Sequence, residues 1–355
     1  MNKILRDGNW RMFQCNAAHT GNSLSSVGPK ESVRERWSFD SGSAIPSSPV
    51  VDNDMVYFGN QNSGPEANLF ALSSVDGSKR WSFNCRDEVR TSPAVGKGTL
   101  FASSLYPSLY AVSLASGSLK WSVDVDSPMD SSPTIYDGTV YVGSWEGSLL
   151  AIDEKTGSIR WKYETKAEIE SSPAVRKNVV YIGNVDGSVY ALNSTNGDLL
   201  WNCNIDQPIT STIAVTPEFV FVASRLGQVV AIDPVSGQKQ WTFSVGHYPC
   251  SSLAVSNGVV YFGCANHYVY ALDVETGQEI WRFKTKDKVK SSPAIADRIL
   301  YIGSDDQHVY ALDADNGNEL WQFETSYAVR SSPAIANGTL YIGNNEGRIY
   351  ALEDK

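Results

Sequence analysis

Four soft donors in one short stretch could do metal or redox chemistry. His247-x-x-Cys250 is mirrored by Cys264-x-x-His267, and imidazole nitrogen with thiolate sulfur is the donor mix of tetrahedral zinc sites. The same cysteines could instead join as a disulfide. Convergence depends on the turn at Ser256-Asn257-Gly258 between them. A two-residue turn pairs Ser256 with Val259 and sets Cys250 opposite Ala265. A three-residue bulged turn sets Cys250 opposite Cys264 and His247 opposite His267. A one-residue slip changes the answer, so no metal site is assigned from sequence. Two other strings read as turns. In Asp313-Ala314-Asp315-Asn316-Gly317-Asn318-Glu319 the glycine comes one position too early for a calcium loop. Gly96-Lys97-Gly98 has no helix after it to present amides to a phosphate.

The elements that must position these residues come from a repeat. Tryptophans stand at Trp37, Trp81, Trp121, Trp161, Trp201, Trp241, Trp281 and Trp321, forty apart after a first gap of forty-four. A fixed period of this length marks a stacked architecture. The extra four residues fall in the Gly/Asn/Pro-rich stretch from Asn60 to Asn68 and lengthen a loop. Each period repeats a Trp-x-Phe-like run, a polar link, Ser-Ser-Pro-Ala-Val, a turn, Tyr-Ile-Gly, a second turn and Val-Tyr-Ala-Leu-Asp. Asn257-Gly258, Asn337-Gly338 and Asp137-Gly138 punctuate the first hairpins, and Asp186-Gly187 and Glu346-Gly347 the second. Each unit is therefore a four-stranded antiparallel meander. One such sheet cannot bury both faces, and stacking around an axis can. The expected fold is all-β: an eight-bladed β-propeller. The last unit stops before its Trp-bearing strand, and residues near 34 to 40 have no blade of their own. They are expected to supply the outer strand of blade eight, with 1–33 as a lead-in and 34–355 as one propeller domain.

Composition narrows the function classes. There are 29 Lys+Arg against 39 Asp+Glu, a formal charge of -10, so no net positive field exists to hold a polyanion and nucleic-acid binding is not expected. No apolar run reaches the roughly 18 to 20 residues of a membrane span. The opening residues lack a signal-peptide core, which gives a cytoplasmic expectation, or a periplasmic or extracellular one if a signal was removed. Five irregularly spaced cysteines are not a disulfide framework. The chain is expected to be a monomer.

The strings AIDEKTGSIRW from Ala151, ALNSTNGDLLW from Ala191, ALDVETGQEIW from Ala271 and ALDADNGNELW from Ala311 resemble the tryptophan-docking motif of the PQQ-like (quinoprotein-type) β-propellers. Trp10-Arg11-Met12-Phe13 and His19-Thr20-Gly21 resemble the N-terminal segment of such proteins. The resemblance implies a docking role for the eight tryptophans, each indole resting on small residues of a neighbouring blade. It implies no single activity, because the family holds both catalysts and scaffolds. PQQ-dependent alcohol dehydrogenases are longer, with loop excursions around the quinone and often an adjacent-cysteine disulfide, and this chain has no Cys-Cys dipeptide. The lean loops resemble the BamB-like non-catalytic branch.

Within a propeller the residue before each Ser-Ser pair should ring the channel mouth. Around the repeats this position is Pro46, Arg90, Asp130, Glu170, Thr210, Cys250, Lys290 and Arg330. Lys290, Arg330 and Arg90 form a cationic arc, and Asp130 and Glu170 lie across from it. The second hairpin loops add Tyr106, Trp145, Arg225 and Tyr268. The expected function is a non-enzymatic binding or assembly scaffold that takes a protein partner or small ligand on this face, with no catalytic residues and no cofactor. The alternative is a PQQ- and calcium-dependent alcohol or aldose dehydrogenase with a reduced pocket.

Overall fold

The computed structural model describes residues 9–23, 27–125, 127–246 and 250–355. Their strands form eight sheets, each with four antiparallel strands in meander order, arranged as an eight-bladed β-propeller without helices. Blade 3 is typical: inner strand Thr134–Tyr136, second strand Thr139–Gly143, third strand Ser148–Asp153 and outer strand Ile159–Glu164. The inner and second strands turn through pairs with positive φ, such as Asp137 (45°) with Gly138 (71°) and Asn337 (51°) with Gly338 (81°). That is the geometry that matches strand twist in a two-residue hairpin. The inner three strands are almost wholly buried, whereas outer strands alternate exposed and half-buried residues. Cores therefore lie between blades.

The two recurrent motifs supply the glue between blades. Seven of the eight outer-strand tryptophans reach the turn between third and outer strands of the next blade. The indole N–H of Trp161 donates to Ser194 O at 3.0 Å and that of Trp281 to Ala314 O at 3.0 Å. The ring presses on a glycine with positive φ: at Gly277 (φ +68°) a Cβ would stand 2.5 Å from Trp241. Nearer the axis, the second residue of each Ser-Ser pair links neighbouring blades. The N–H of Ser48 donates to Ser92 Oγ at 3.1 Å, Ser92 to Ser132, Ser132 to Ser172, Ser172 to Thr212, Thr212 to Ser252, Ser252 to Ser292, Ser292 to Ser332, and Ser332 back to Ser48 Oγ at 2.9 Å. Eight hydrogen bonds thus close on themselves.

The ring is sealed by the strand exchange expected from the repeat count. Val33–Asp40 is the outer strand of blade 8, antiparallel to Arg348–Asp354, with Trp37 opposite Ala351. The lead-in adds a feature that the repeat did not announce. It runs across the end of the channel where the first hairpins turn, and its carbonyls collect the channel-facing amide of successive inner strands. Val95 N–H bonds Arg11 O, Val175 bonds Ala17 O, Val215 bonds Ala18 O, Val255 bonds Thr20 O and Ile295 bonds Gly21 O, at 2.6 to 2.9 Å, while Trp10 and Val51 exchange a pair of bonds. Asn22–Ser23 continues as a short parallel strand on blade 7. Pro29 O accepts the indole N–H of Trp321 at 3.0 Å, the role that a third-to-outer turn plays in other blades.

Candidate functional site

In a meander blade the second hairpin loops and the links between blades share one end of the channel. The ring position and the loops at 145 and 225 therefore meet there, and the structure brings their charges together in two groups. In the first, Arg90 holds Glu88 (Nε to Oε2 2.6 Å) and sits beside Asp130. Burial pushes the Asp130 carboxyl up from its ordinary value, against the pull of Arg90. Burial also raises Glu170, with Asp130 adding repulsion and Arg225 opposing it. Arg90, Asp130, Glu170 and Arg225 are therefore one electrostatic cluster. In the second, Arg330 grips Asp305 with both arms of its guanidinium, at 2.8 and 3.2 Å, and Lys290 lies 4.0 Å from the same carboxylate. Asp305, only 8% exposed, belongs to the second hairpin loop of blade 7. Reading that loop position in every repeat would have found it.

The other expected residues belong to neither charge group. Tyr106 is 38% exposed, with the Arg86 guanidinium 5.0 Å above its ring. Tyr268 is half-buried against the core between blades 5 and 6, with Arg282 at 5.3 Å and Lys284 at 5.9 Å, both from the outer strand of its blade, over its ring. Trp145 is half-buried, and its indole N–H has no hydrogen-bond partner among the described residues. Two exposed apolar side chains on this end were not singled out by sequence: Leu226, 53% exposed, next to Arg225, and Tyr327, 52% exposed, in the link before Arg330.

The blade 6 donors resolve in a way that mixes the two expected registers. Ser256 pairs with Val259 across a two-residue turn with Asn257 and Gly258 both at positive φ, yet Cys250 lies opposite Cys264. Three residues, 251–253, face two, 262–263, so a bulge in the inner strand supplies the slip. His267 turns its Nδ1 toward Lys286 O at 3.4 Å, and His247 lies outside the described residues. Among those residues no three His, Cys, Asp or Glu side chains converge. The Asp313 string is a turn in which Asp313 Oδ1 accepts the N–H of Asp315 at 2.9 Å, and Gly96-Lys97-Gly98 is the expected hairpin.

The opposite end carries a cleft of about 920 Å³ between blades 2 and 3 beside the lead-in. Two ion pairs stand in it, Arg11 with Asp52 at 2.6 Å and Arg160 with Asp153 at 2.6 Å, and Glu154 Oε1 accepts the backbone N–H of Lys97 at 2.9 Å. There the lead-in places His19, fully buried, with Nε2 3.0 Å from Thr134 Oγ1. Burial lowers its pKa to about 3.

Known proteins place this frame. No curated protein sequence matches the chain. Among solved structures, BamB from Moraxella catarrhalis superposes with a TM-score of 0.77 at 18% identity, covering 91% of this chain and all of that one. Quinohemoprotein alcohol dehydrogenase from Comamonas testosteroni gives 0.82 at 13% identity, over 97% of this chain and 80% of its own. The computationally designed Ika8 protein gives 0.78 at 17% identity, over 88% and 96%. At such identities these likenesses speak for the fold alone. A family model described as outer membrane protein assembly factor BamB matches residues 65–226 and 225–355. With most of its length under that model and docking tryptophans in every blade, the chain belongs to the PQQ-like β-propeller family of BamB.

Proposed function

We propose that this propeller is a non-enzymatic assembly scaffold that holds a protein partner on the mouth formed by its second hairpin loops. The observation that carries the reading is the surface of that end: Leu226, Tyr327 and Tyr106 stand exposed around a ring of charge. Exposed aromatic and aliphatic anchors within a polar rim are the anatomy of a protein interface. The family's name points the same way, toward outer membrane protein assembly, and favours the cell envelope over the cytoplasm as the place of work.

The second reading, a dehydrogenase using PQQ and calcium, draws on the fold shared with the quinohemoprotein enzyme and on the adjacent Asp130 and Glu170. A calcium ion takes six to eight oxygen ligands, and a quinone with several carboxylates needs cations that are not already committed. Here Asp130 stands beside Arg90 and Glu170 beside Arg225, while Lys290 and Arg330 share Asp305. The residues present do not assemble that donor set, which supports the scaffold.

A photo-crosslinking amino acid at position 226 or 327, introduced in cells, tests the proposal. Covalent adducts with a protein at both positions, and none from position 200 on the outer edge of blade 4, are expected. Silence at 226 and 327 overturns it. Melting the purified protein with PQQ and Ca²⁺ tests the other reading: a saturable upward shift requiring both would revive the enzyme.

A further inference from the structure

Cys250 and Cys264 are absorbed neither by blade docking nor by the charged ring. Cys250 occupies the ring position of blade 6, and Cys264 ends the second strand Val259–Cys264. The N–H of Ser251 donates to Gly263 O at 2.8 Å. That bond runs from the residue after one cysteine to the residue before the other, which makes the cysteines a non-hydrogen-bonded antiparallel pair. At such positions Cα atoms stand about 4.5 Å apart, inside the roughly 4.4 to 6.8 Å that a disulfide spans. The inner-strand bulge at Ser251-Ser252-Leu253 creates this register, since the hairpin turn alone would set Cys250 against Ala265. Both side chains are buried, at 5% and 0% exposure. Their thiols are hydrogen-bonded to each other. Cys264 is pulled below the ordinary thiol value by accepting from Cys250 and from the amides of Asn266 and Ala265, while Cys250 is pushed up. The pair thus has a distinct nucleophile and a distinct proton donor.

We propose that Cys250 and Cys264 form a redox modification site, a dithiol that closes to a cross-strand disulfide and pins the inner strand of blade 6 to its second strand at the channel mouth. The oxidant is a disulfide, either of low molecular weight or from a thiol oxidase. The Cys264 thiolate attacks one sulfur of that disulfide, whose S–S bond breaks and releases one thiol. Cys250 gives up its proton and attacks Sγ of Cys264 in the mixed disulfide, expelling the second thiol. Two cysteine thiols are oxidised, one external disulfide is reduced, and the two protons end on its sulfurs.

The test uses the full chain with its five cysteines. One sample is reduced, desalted and equilibrated natively with oxidised glutathione. Another is refolded from denaturant in a glutathione redox buffer, so that burial cannot hide the sulfurs. Free thiols are counted and linked peptides mapped by mass spectrometry. The expected result is loss of two thiols, a single 250–264 link and a raised melting temperature; Cys264→Ser should keep all of its remaining thiols. A link in the refolded sample alone still supports the pairing, with burial setting the rate. Five free thiols after refolding, or a link through Cys15, Cys85 or Cys203, overturns it.

Discussion

Asp130 holds its charge at a cost. Its carboxyl is raised above the unfolded value by burial, and Arg90 offsets only part of that. A carboxyl with a raised folded pKa penalises the folded state once ionised: the penalty is absent below the unfolded value near 4, grows as pH rises through it and is complete above the folded value. Asp130→Asn should therefore raise the melting temperature at pH 7, with the gain shrinking toward pH 4, as differential scanning fluorimetry across pH would read. The same variant should weaken partner capture at the mouth, since a residue kept against stability is a candidate for function. At this scale the sequence was informative where one position varied against a constant background: the residue before each Ser-Ser pair yielded Arg90, Asp130, Glu170, Lys290 and Arg330. It passed over Asp305, which holds the loop position of Trp145 and Arg225, and its sharing by Lys290 and Arg330 is an ion pair across up to twenty-five residues that leaves no local pattern. The Cys250–Cys264 register was one of two left open, because the bulge that makes it lies inside Ser-Ser-Leu, where no glycine announces it.

Strands and turns were legible nearly throughout, since Asn-Gly pairs and period-two apolar runs are local signals that packing reinforced. The lead-in was not. Its contacts with the blades are main-chain carbonyls meeting main-chain amides, as in Val175 to Ala17 and Val215 to Ala18, and these carry no side-chain signature. His19 gives this segment a pH dependence of its own. Burial lowers its folded pKa to about 3, against an unfolded value near 6.5. Between those values the unfolded chain binds a proton that the folded one refuses, so stability is full above about pH 6.5 and declines toward pH 3 by about 1.4 kcal/mol per unit. His19→Asn should flatten that decline relative to the parent, measured as melting temperature against pH. Equal slopes would show that protonation at this site is not coupled to the docking of the lead-in.

For the whole molecule, the ring of eight Ser and Thr hydrogen bonds and the belt of docked tryptophans distribute stability evenly, so the seam in blade 8 is where integrity is concentrated. There Val33–Asp40 pairs with Arg348–Asp354 and Trp37 Nε1 reaches Ser74 O at 2.9 Å. Removing residues 31–41 strips blade 8 of its outer strand and leaves Arg348–Asp354 as an open edge, a template for pairing between chains. Calorimetry should show a strongly lowered melting temperature, and light scattering should show association. A truncation that melts like the parent would mean that the seam contributes little. The eight-fold plan and its closure were legible because counting strands is enough to expose a blade short of one. What the count could not show was the second tie, the lead-in crossing from blade to blade.

The seam also sets a timetable. Ser38 and Arg348, bonded across it at 3.2 Å, are 310 residues apart, and at about 5 to 20 residues per second of synthesis the first must wait on the order of half a minute for the second to be made. The ring therefore cannot lock before Arg348–Asp354 has been made. Until then Val33–Asp40 stays without its partner, which places closure of the ring among the last events of folding.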